Sequence, residues 1–141
     1  MVNWLKWQTS LRYKLRYFLS ALIGRLAEFR AAWFLCGQPG CTILARNFRS
    51  RGGELDLVVL LNGVLVFVEV RYRSSMHFGG AITSVDGHKQ RCWLRAAQDF
   101  LIKYPKFSYL PMRFDLITFQ AKGRWSLGTL TWYQQVLEKA W

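Results

Sequence analysis

Asn62 and Gly63 lie between two long apolar runs, ELDLVVLL at 54–61 and VLVFVEVRYR at 64–73. Asn-Gly in this setting is the strongest short-range signal for a two-residue β-hairpin, because both central residues of the tight turn need a positive φ. We therefore predict that the two runs form antiparallel neighbouring strands, with Leu61 paired with Val64.

Helical spacing, strand-like runs and turn residues predict the other elements. These are a helix over 24–36 that ends at Gly37, a strand at 41–48, a loop at 50–53, a helix capped by Asp86 that ends before Pro105, strands at 112–119 and 125–133, and a short helix at 134–141. The order αβββαβ predicts an α/β fold with a mixed central sheet flanked by helices. A chain of 141 residues fits one compact domain.

The helix over 24–36 has two different faces. One stripe carries its large apolar residues and Cys36: Leu22, Leu26, Phe29, Trp33 and Cys36. Glu28 lies off this stripe, beside Gly24, Ala31 and Leu35. We expect this face of small residues to approach other backbone closely.

Residues 1–23 form a separate feature, a basic amphipathic helical extension of a single domain at 24–141. They contain four bases and no acid. Three interpretations stay open: an extra helix packed on the domain, a helix that contacts a membrane surface, and a signal peptide. Arg25 and Glu28 follow at once and no small-residue cleavage site is evident, which argues against secretion.

The formal net charge of +12 limits the classes of partner. Such a charge attracts polyanions, either nucleic acid or an anionic lipid surface, and composition alone does not choose between them. No apolar run is long enough for a multi-span membrane protein. Three cysteines without Cys-x-x-Cys spacing favour a reducing compartment over disulfides or a zinc site, so we expect a cytoplasmic protein.

Three of the eight acids fall between residues 54 and 69. The hairpin register places Asp56 opposite Glu69 and Glu54 opposite Arg71, with all four side chains on one face. Two opposed carboxylates at roughly 5 Å repel by about 3 kcal/mol at an effective dielectric near 20. A raised pKa, the Arg71 guanidinium or a divalent cation could offset this repulsion; an ion-pair cluster without further function is the alternative.

Several short motifs resemble the YraN family of small bacterial proteins. They are GRLAEFRAAWFL, ILARNFRSRGGELDLVV, VFVEVRYRSS, FGG, VDGHKQ and RFDLITF, in this order between residue 24 and about 119. The resemblance implies a restriction-endonuclease-like fold of the PD-(D/E)XK superfamily, distantly similar to archaeal Holliday-junction resolvases. It thus implies hydrolysis of DNA phosphodiesters, branched or structured DNA included, with Mg²⁺ or Mn²⁺.

The resemblance also implies site residues. Asp56 and Glu69 fall on the metal ligands, joined by the backbone carbonyl of Val70, and Glu28 falls on the helical acid. Glu54 is a candidate second-metal or supporting group. Arg71 stands where the wider nuclease pattern has Lys, and an arginine that stays protonated cannot act as a general base. With Lys89 it could stabilise charge in the transition state.

Basic residues near these acids are candidates for nucleic-acid binding, and a merely solvated face is the alternative. The candidates are Arg49, Arg51, Arg73, Lys89, Gln90 and Arg91. Two functions therefore stand: a metal-dependent endonuclease, or a nucleic-acid-binding protein with a relict, inactive nuclease site. Junction resolvases of this fold act as symmetric dimers, so the resemblance allows a homodimer.

Two further sets of residues have structural interpretations. Asp115 beside Arg113 indicates an ion pair rather than a ligand. The tryptophans, Trp93 and Trp132 among them, could stack on bases, but core packing explains most of them better.

Overall fold

The computed structural model describes residues 3–73, 87–121 and 128–137, with the side chains of the first helix from Lys14 onward. Its elements in chain order are α1 (Asn3–Cys36), β1 (Cys41–Arg49), β2 (Glu54–Leu61), β3 (Val64–Arg73), α2 (Gly87–Lys103), a 3-10 turn (Pro105–Phe107), β4 (Met112–Gln120) and β5 (Thr129–Tyr133). The predicted αβββαβ order is confirmed. The predicted cap Asp86, the motif FGG and residues 125–127 of the predicted strand at 125–133 lie outside the described residues.

The described strands form one mixed sheet in the order β1-β2-β3-β4-β5. β1, β2 and β3 are antiparallel neighbours, β3 and β4 run parallel, and β5 returns antiparallel. Asn62 and Gly63 have φ values of 49° and 83°, and Leu61 pairs with Val64. The predicted hairpin and its register are confirmed, because this tight turn requires positive φ at both residues.

The two helices cover opposite faces of the sheet. α1 packs its alanines and Leu35 against one face, with Leu57, Val59, Val66, Val68, Ile117 and Phe119. α2 packs Trp93, Ala96, Ala97 and Phe100 against the other, with Leu55, Val58, Leu65, Phe67 and Phe114. This three-layer arrangement is the α/β fold that the sequence predicts, and it is consistent with a restriction-endonuclease-like core.

The large apolar stripe of α1 faces away from the sheet. Ala31 and Leu35 are fully buried, whereas Trp33 is 75% exposed and Phe29 is 58% exposed. The expected close approach of the small-residue face is confirmed at Ala31 and Leu35, which pack against the sheet, but not at Gly24, where an added side chain would meet nothing within 4 Å. The small side chains let the helix backbone come near the sheet, which turns the large side chains on the opposite stripe outward.

α1 continues through Gly24 as one helix. The division into an extension at 1–23 and a domain at 24–141 remains a prediction. Within the described ranges, no helix combines the length and the apolarity that crossing a bilayer requires.

The predicted helix at 134–141 is wrong over its described part, residues 134–137, which are not helical. The backbone N–H of Gln135 donates to Asp115 Oδ1 at 2.9 Å, and that of Val136 donates to Phe114 O at 2.8 Å. Gln135 also has a φ of 54°, which a right-handed helix excludes. The segment therefore follows the sheet instead of forming a helical turn.

Asp115 is a buried structural acid, 1% exposed. Arg113 Nε lies 3.1 Å from Asp115 Oδ1, and Trp132 Nε1 donates to Asp115 Oδ2 at 2.9 Å. The predicted ion pair is confirmed, and it ties β5 and the segment after it to β4.

Candidate active site

β2 is irregular at Asp56. The ladder with β3 runs from Leu61–Val64 to Leu57–Val68 and ends there, and the ladder with β1 passes from Leu57 to Leu55 without a partner for Asp56. Leu57 packs under α1 and Leu55 packs under α2, although residues two apart share a face in a regular strand. The ladder with β3 therefore ends before the expected pairs of Asp56 with Glu69 and of Glu54 with Arg71, and those pairs stay predictions.

Asn47 accompanies this irregularity on β1. Its φ is 50°, in the left-handed region that asparagine tolerates better than most residues. Its neighbours, Arg46 and Phe48, pair with Leu57 and Leu55. Arg46 lies over the Phe29 ring of α1, whereas Phe48 packs in the α2 core, so both strands change faces at the same level.

At this irregular position of β2, the Asp56 carboxylate contacts the backbone of β3. The Val70 N–H donates to Asp56 Oδ2 at 2.7 Å. Burial raises the pKa of Asp56 to about 7, and the negative charges of Glu69 and then Glu28 act in the same direction, against this hydrogen bond and Lys89. Two of the predicted site acids, Glu28 of α1 and Glu69 of β3, thus act electrostatically on a third, Asp56 of β2.

Glu69 is held by side chains from α2 and from its own strand. Lys89 Nζ lies 3.0 Å from Glu69 Oε1, and Arg71 Nε lies 3.8 Å from the same oxygen. Trp93 Nε1 donates to Glu69 Oε2 at 2.9 Å. The side chain of Glu69 is only 11% exposed, so both oxygens are bound with little help from water.

Glu54 lies at the outer end of β2. Its carboxylate is 3.3 Å from Arg49 Nε, and the two side chains are 53% and 79% exposed. Glu54 is thus paired with a surface cation on β1, which it also faces in the sheet register.

Two glycines, Gly52 and Gly53, let the loop at 50–53 pack closely against α2. The Gly52 N–H donates to Asp99 Oδ2 at 3.1 Å, and a side chain at Gly52 would meet Arg95 Cβ at 2.7 Å. Gly53 has a φ of 151°, and a side chain there would meet the carbonyl oxygen of Cys92 at 3.0 Å. Only glycines allow this approach, which brings Arg51 next to the bases of α2.

The other predicted nucleic-acid-binding residues come from β3 and from the first turns of α2. Arg51 and Arg91 are exposed, and Arg73 and Gln90 are partly buried. Arg73 ends β3, and its carbonyl accepts a hydrogen bond from the Ala121 N–H. The predicted cations therefore come from β1, β3, the 50–53 loop and the first turns of α2.

Trp93 is the site residue that sequence reasoning missed. It is 2% exposed and lies one helical turn after Lys89, whose ammonium group is 5.9 Å from its ring centroid. A buried tryptophan needs an acceptor for its N–H, and a position four residues after a candidate Lys on the same helix was a usable signal. The identity of the acceptor depends on how α2 packs on β3.

The donor set of this site fits a hard divalent cation. Asp56 and Glu69 supply carboxylate oxygens, and Mg²⁺ commonly takes one or two carboxylates with its other positions filled by water or phosphate. Burial, and then the charge of Glu69, raise the pKa of Asp56, and a bound cation would favour the charged carboxylate. Among the described residues, no three His, Cys, Asp or Glu side chains form a candidate metal cluster, so the protein ligands available are fewer than a closed cage needs.

The sheet, its two covering helices and these acids define an α/β protein with a carboxylate site between β2, β3 and a basic helix. The chain belongs to the family described as Uncharacterised protein family UPF0102, whose sequence profile matches residues 27–119. The predicted resemblance is therefore confirmed at the level of the family. The matched region contains Glu28, Asp56, Glu69 and Lys89.

Relatives in several bacteria support this membership. A UPF0102 protein of Alcanivorax borkumensis is 51% identical over 94 residues, which cover 67% of this chain and 74% of that protein. One of Stutzerimonas stutzeri is 42% identical over 115 residues, covering 82% and 93%. One of Saccharophagus degradans is 46% identical over 98 residues, covering 70% and 82%.

Proposed function

We propose that this protein is a metal-dependent endonuclease that hydrolyses DNA phosphodiesters, branched or structured DNA being its preferred substrate. The observation that carries the proposal is the convergence of Asp56 and Glu69 beside Lys89 and Arg71 in a chain of net charge +12. Acids that hold a cation, next to bases that attract phosphate, are what such a reaction needs.

Asp56 and Glu69 would hold Mg²⁺ or Mn²⁺, with the carbonyl of Val70 as a further ligand. When bound, the ion supplies a more acidic water and polarises a phosphoryl oxygen. Trp93 fixes one oxygen of Glu69, and the Val70 N–H fixes one oxygen of Asp56. These two hydrogen bonds pre-orient the ligands.

Arg71 and Lys89 supply positive charge for the phosphate. Arg71 is permanently protonated, so its role is to stabilise negative charge and not to remove a proton. Lys89 lies in the first turn of α2, where the backbone N–H groups of a helix also favour anions. When phosphate binds, we expect Lys89 to turn from Glu69 towards it.

The exposed bases around α2 support DNA as the substrate. Arg49, Arg51 and Arg91 are exposed, and contacts from such bases position a nucleic-acid backbone without reading its sequence. An endonuclease that recognises DNA shape needs this kind of surface. A symmetric dimer and a cytoplasmic location are further parts of this proposal.

One contact favours the alternative, a nucleic-acid-binding protein with an inactive site. Lys89 Nζ lies 3.0 Å from Glu69 Oε1, where it neutralises one of the two acids without any metal ion. If this ion pair persists, the protein binds DNA through its bases and does not cleave it.

A cleavage assay separates the two functions. End-labelled four-way junction, duplex and single-stranded DNA are incubated with purified protein in Mg²⁺, Mn²⁺ or chelator, beside the Asp56→Asn variant. We expect metal-dependent cuts, strongest on the junction, that Asp56→Asn abolishes while DNA binding and the fold remain. Binding to every DNA without cleavage would establish the alternative, and equal cleavage by Asp56→Asn would disprove the assignment of the site.

A further inference from the structure

The outward side of α1 carries a continuous apolar stripe. Its members follow one another at spacings of three or four residues and are between 44% and 75% exposed: Leu15, Phe18, Leu22, Leu26, Phe29 and Trp33. At about 1.5 Å per residue the stripe is roughly 27 Å long. Contiguous exposed apolar surface of this kind marks an interaction site, whereas single exposed apolar residues do not.

Basic residues border the stripe. With about 3.6 residues per turn, Lys14 and Arg25 fall along one edge of it and Arg30 falls along the other, and all three are exposed. α1 has one acid, Glu28, whose charge acts on Asp56 at the candidate active site. The outward side of the helix therefore combines apolar side chains with positive charge and carries no acid.

We propose that α1 docks through this stripe onto an anionic lipid surface, lying in the plane of the membrane interface. An amphipathic helix with bases beside its apolar face binds such surfaces by burying the apolar side chains among the lipids and placing the bases at the headgroups. Trp33, at the end of the stripe, has the amphipathic ring that membrane interfaces favour. The helix lies on the bilayer and does not span it, in agreement with the absence of a membrane-spanning helix from the described residues.

Charge argues against a second copy of this chain as the occupant. Two stripes packed face to face would bring the bordering bases of both copies, Lys14, Arg25 and Arg30, into one interface. No acid borders the stripe to neutralise them, and like charges across an interface oppose association. A surface of anionic headgroups complements the same pattern.

The docked orientation is compatible with the proposed activity. α1 and α2 cover opposite faces of the sheet, so a membrane against the outward side of α1 leaves α2 and the basic 50–53 loop open. The inference does not depend on the proposed function, since it rests on the side of α1 that faces away from the sheet and from the candidate active site.

Vesicle flotation tests the inference with the full chain. Phosphatidylcholine vesicles with and without phosphatidylglycerol are mixed with the wild type, with the stripe variant Phe18→Ser/Leu22→Ser/Trp33→Ser, and with the control Ile102→Ser/Tyr109→Ser. Ile102 and Tyr109 are 77% and 80% exposed but lie outside α1. Circular dichroism and thermal melting check that each variant folds.

We expect the wild type and the control to float with phosphatidylglycerol vesicles only, and less at high salt. The stripe variant should partition at least about tenfold more weakly, because binding scales with the apolar area buried. Absence of wild-type flotation, or equal flotation of the stripe variant, would overturn the proposal. A dimer in solution that the stripe substitutions dissociate, without vesicle binding, would instead identify a second copy as the occupant.

Discussion

Trp93 Nε1 donates a hydrogen bond of 2.9 Å to Glu69 Oε2, so an indole of α2 orients a carboxylate of β3. The other carboxylate oxygen faces the flexible Lys89 side chain at 3.0 Å. Glu69 is therefore fixed at one oxygen by a buried neutral donor. Its second oxygen is bound by Lys89, which a metal ion can replace at the carboxylate and which a bound phosphate can attract away from it.

Replacement of Trp93 by Phe tests this positioning role. The change keeps an aromatic ring but leaves a buried carboxylate oxygen without its donor, which lowers the free energy of unfolding by about 1–3 kcal/mol. We expect the DNA cleavage rate to fall at least about tenfold, since a misplaced ligand weakens the site. Urea denaturation and the cleavage assay measure the two effects.

Trp132→Phe is the matched control, because Trp132 Nε1 also donates at 2.9 Å to a carboxylate, that of Asp115. We expect a comparable loss of stability with an unchanged cleavage rate per folded molecule. Equal loss of cleavage in both variants would mean that Trp93 acts only through stability.

The pH dependence of stability should show the buried acid. Burial and the charge of Glu69 raise the pKa of Asp56 from 3.8 to about 7, so the fold favours the protonated form. Protonated Asp56 therefore adds to the free energy of unfolding in full at pH values below its unfolded-state pKa, and this contribution is lost as the pH rises to about 7. In chelator, the wild-type free energy of unfolding should fall across this window by a few kcal/mol relative to Asp56→Asn.

The control for this measurement is Asp99→Asn, because Asp99 also accepts a backbone N–H, that of Gly52. We expect this variant to retain the wild-type difference between acidic and neutral pH. Urea denaturation at several pH values gives the curves, and parallel curves for the wild type and Asp56→Asn would contradict the prediction.

Mg²⁺ should stabilise the wild type. A ligand at ten times its Kd adds about 1.4 kcal/mol to the free energy of unfolding, which raises the Tm of a domain of this size by about 4 °C. Asp56→Asn should lose the shift. Glu54→Gln should keep it, since the Glu54 carboxylate is half exposed and engages Arg49. Differential scanning fluorimetry with and without chelator measures both, and an equal shift in all three proteins would place the ion elsewhere.

Arg51 and Arg25 should differ in their effect on DNA binding. Arg51 lies beside α2 in a loop fixed by the Gly52–Asp99 hydrogen bond, whereas Arg25 lies on α1 across the sheet. Each phosphate contact contributes about 0.9 to the slope of log K against log salt. Arg51→Ala should therefore lower this slope by about 1, and Arg25→Ala should leave it unchanged. Fluorescence anisotropy over a salt series measures the slopes; equal reductions would mean that DNA has no preferred face.

The sequence predicted what local rules determine. The Asn62-Gly63 turn and the apolar runs on either side specify β2, β3 and their register, because turn chemistry and strand pattern agree. The reversal of faces at Asp56 depends on how two strands twist together, and the contact of Trp93 with Glu69 depends on the docking of a helix 24 residues away in sequence. Neither relationship follows from spacing within one element.

The packing of α1 shows a second limit of pattern reasoning. The periodicity of its apolar residues defines two faces but does not say which of them meets the sheet. That choice depends on the space between helix and sheet, which here accommodates Ala27 and Ala31.

Substitutions on the two faces of α1 therefore give a final test. Ala31 is fully buried and Trp33 is 75% exposed. Ala31→Leu forces a larger side chain between helix and sheet and should lower the free energy of unfolding by about 1–3 kcal/mol. Trp33→Ser should change it by no more than about 0.5 kcal/mol, as is usual at exposed positions. Urea denaturation midpoints compare the two variants. If Trp33→Ser proved the more damaging, α1 would pack through its large apolar stripe, and the proposed lipid-binding surface would be part of the core.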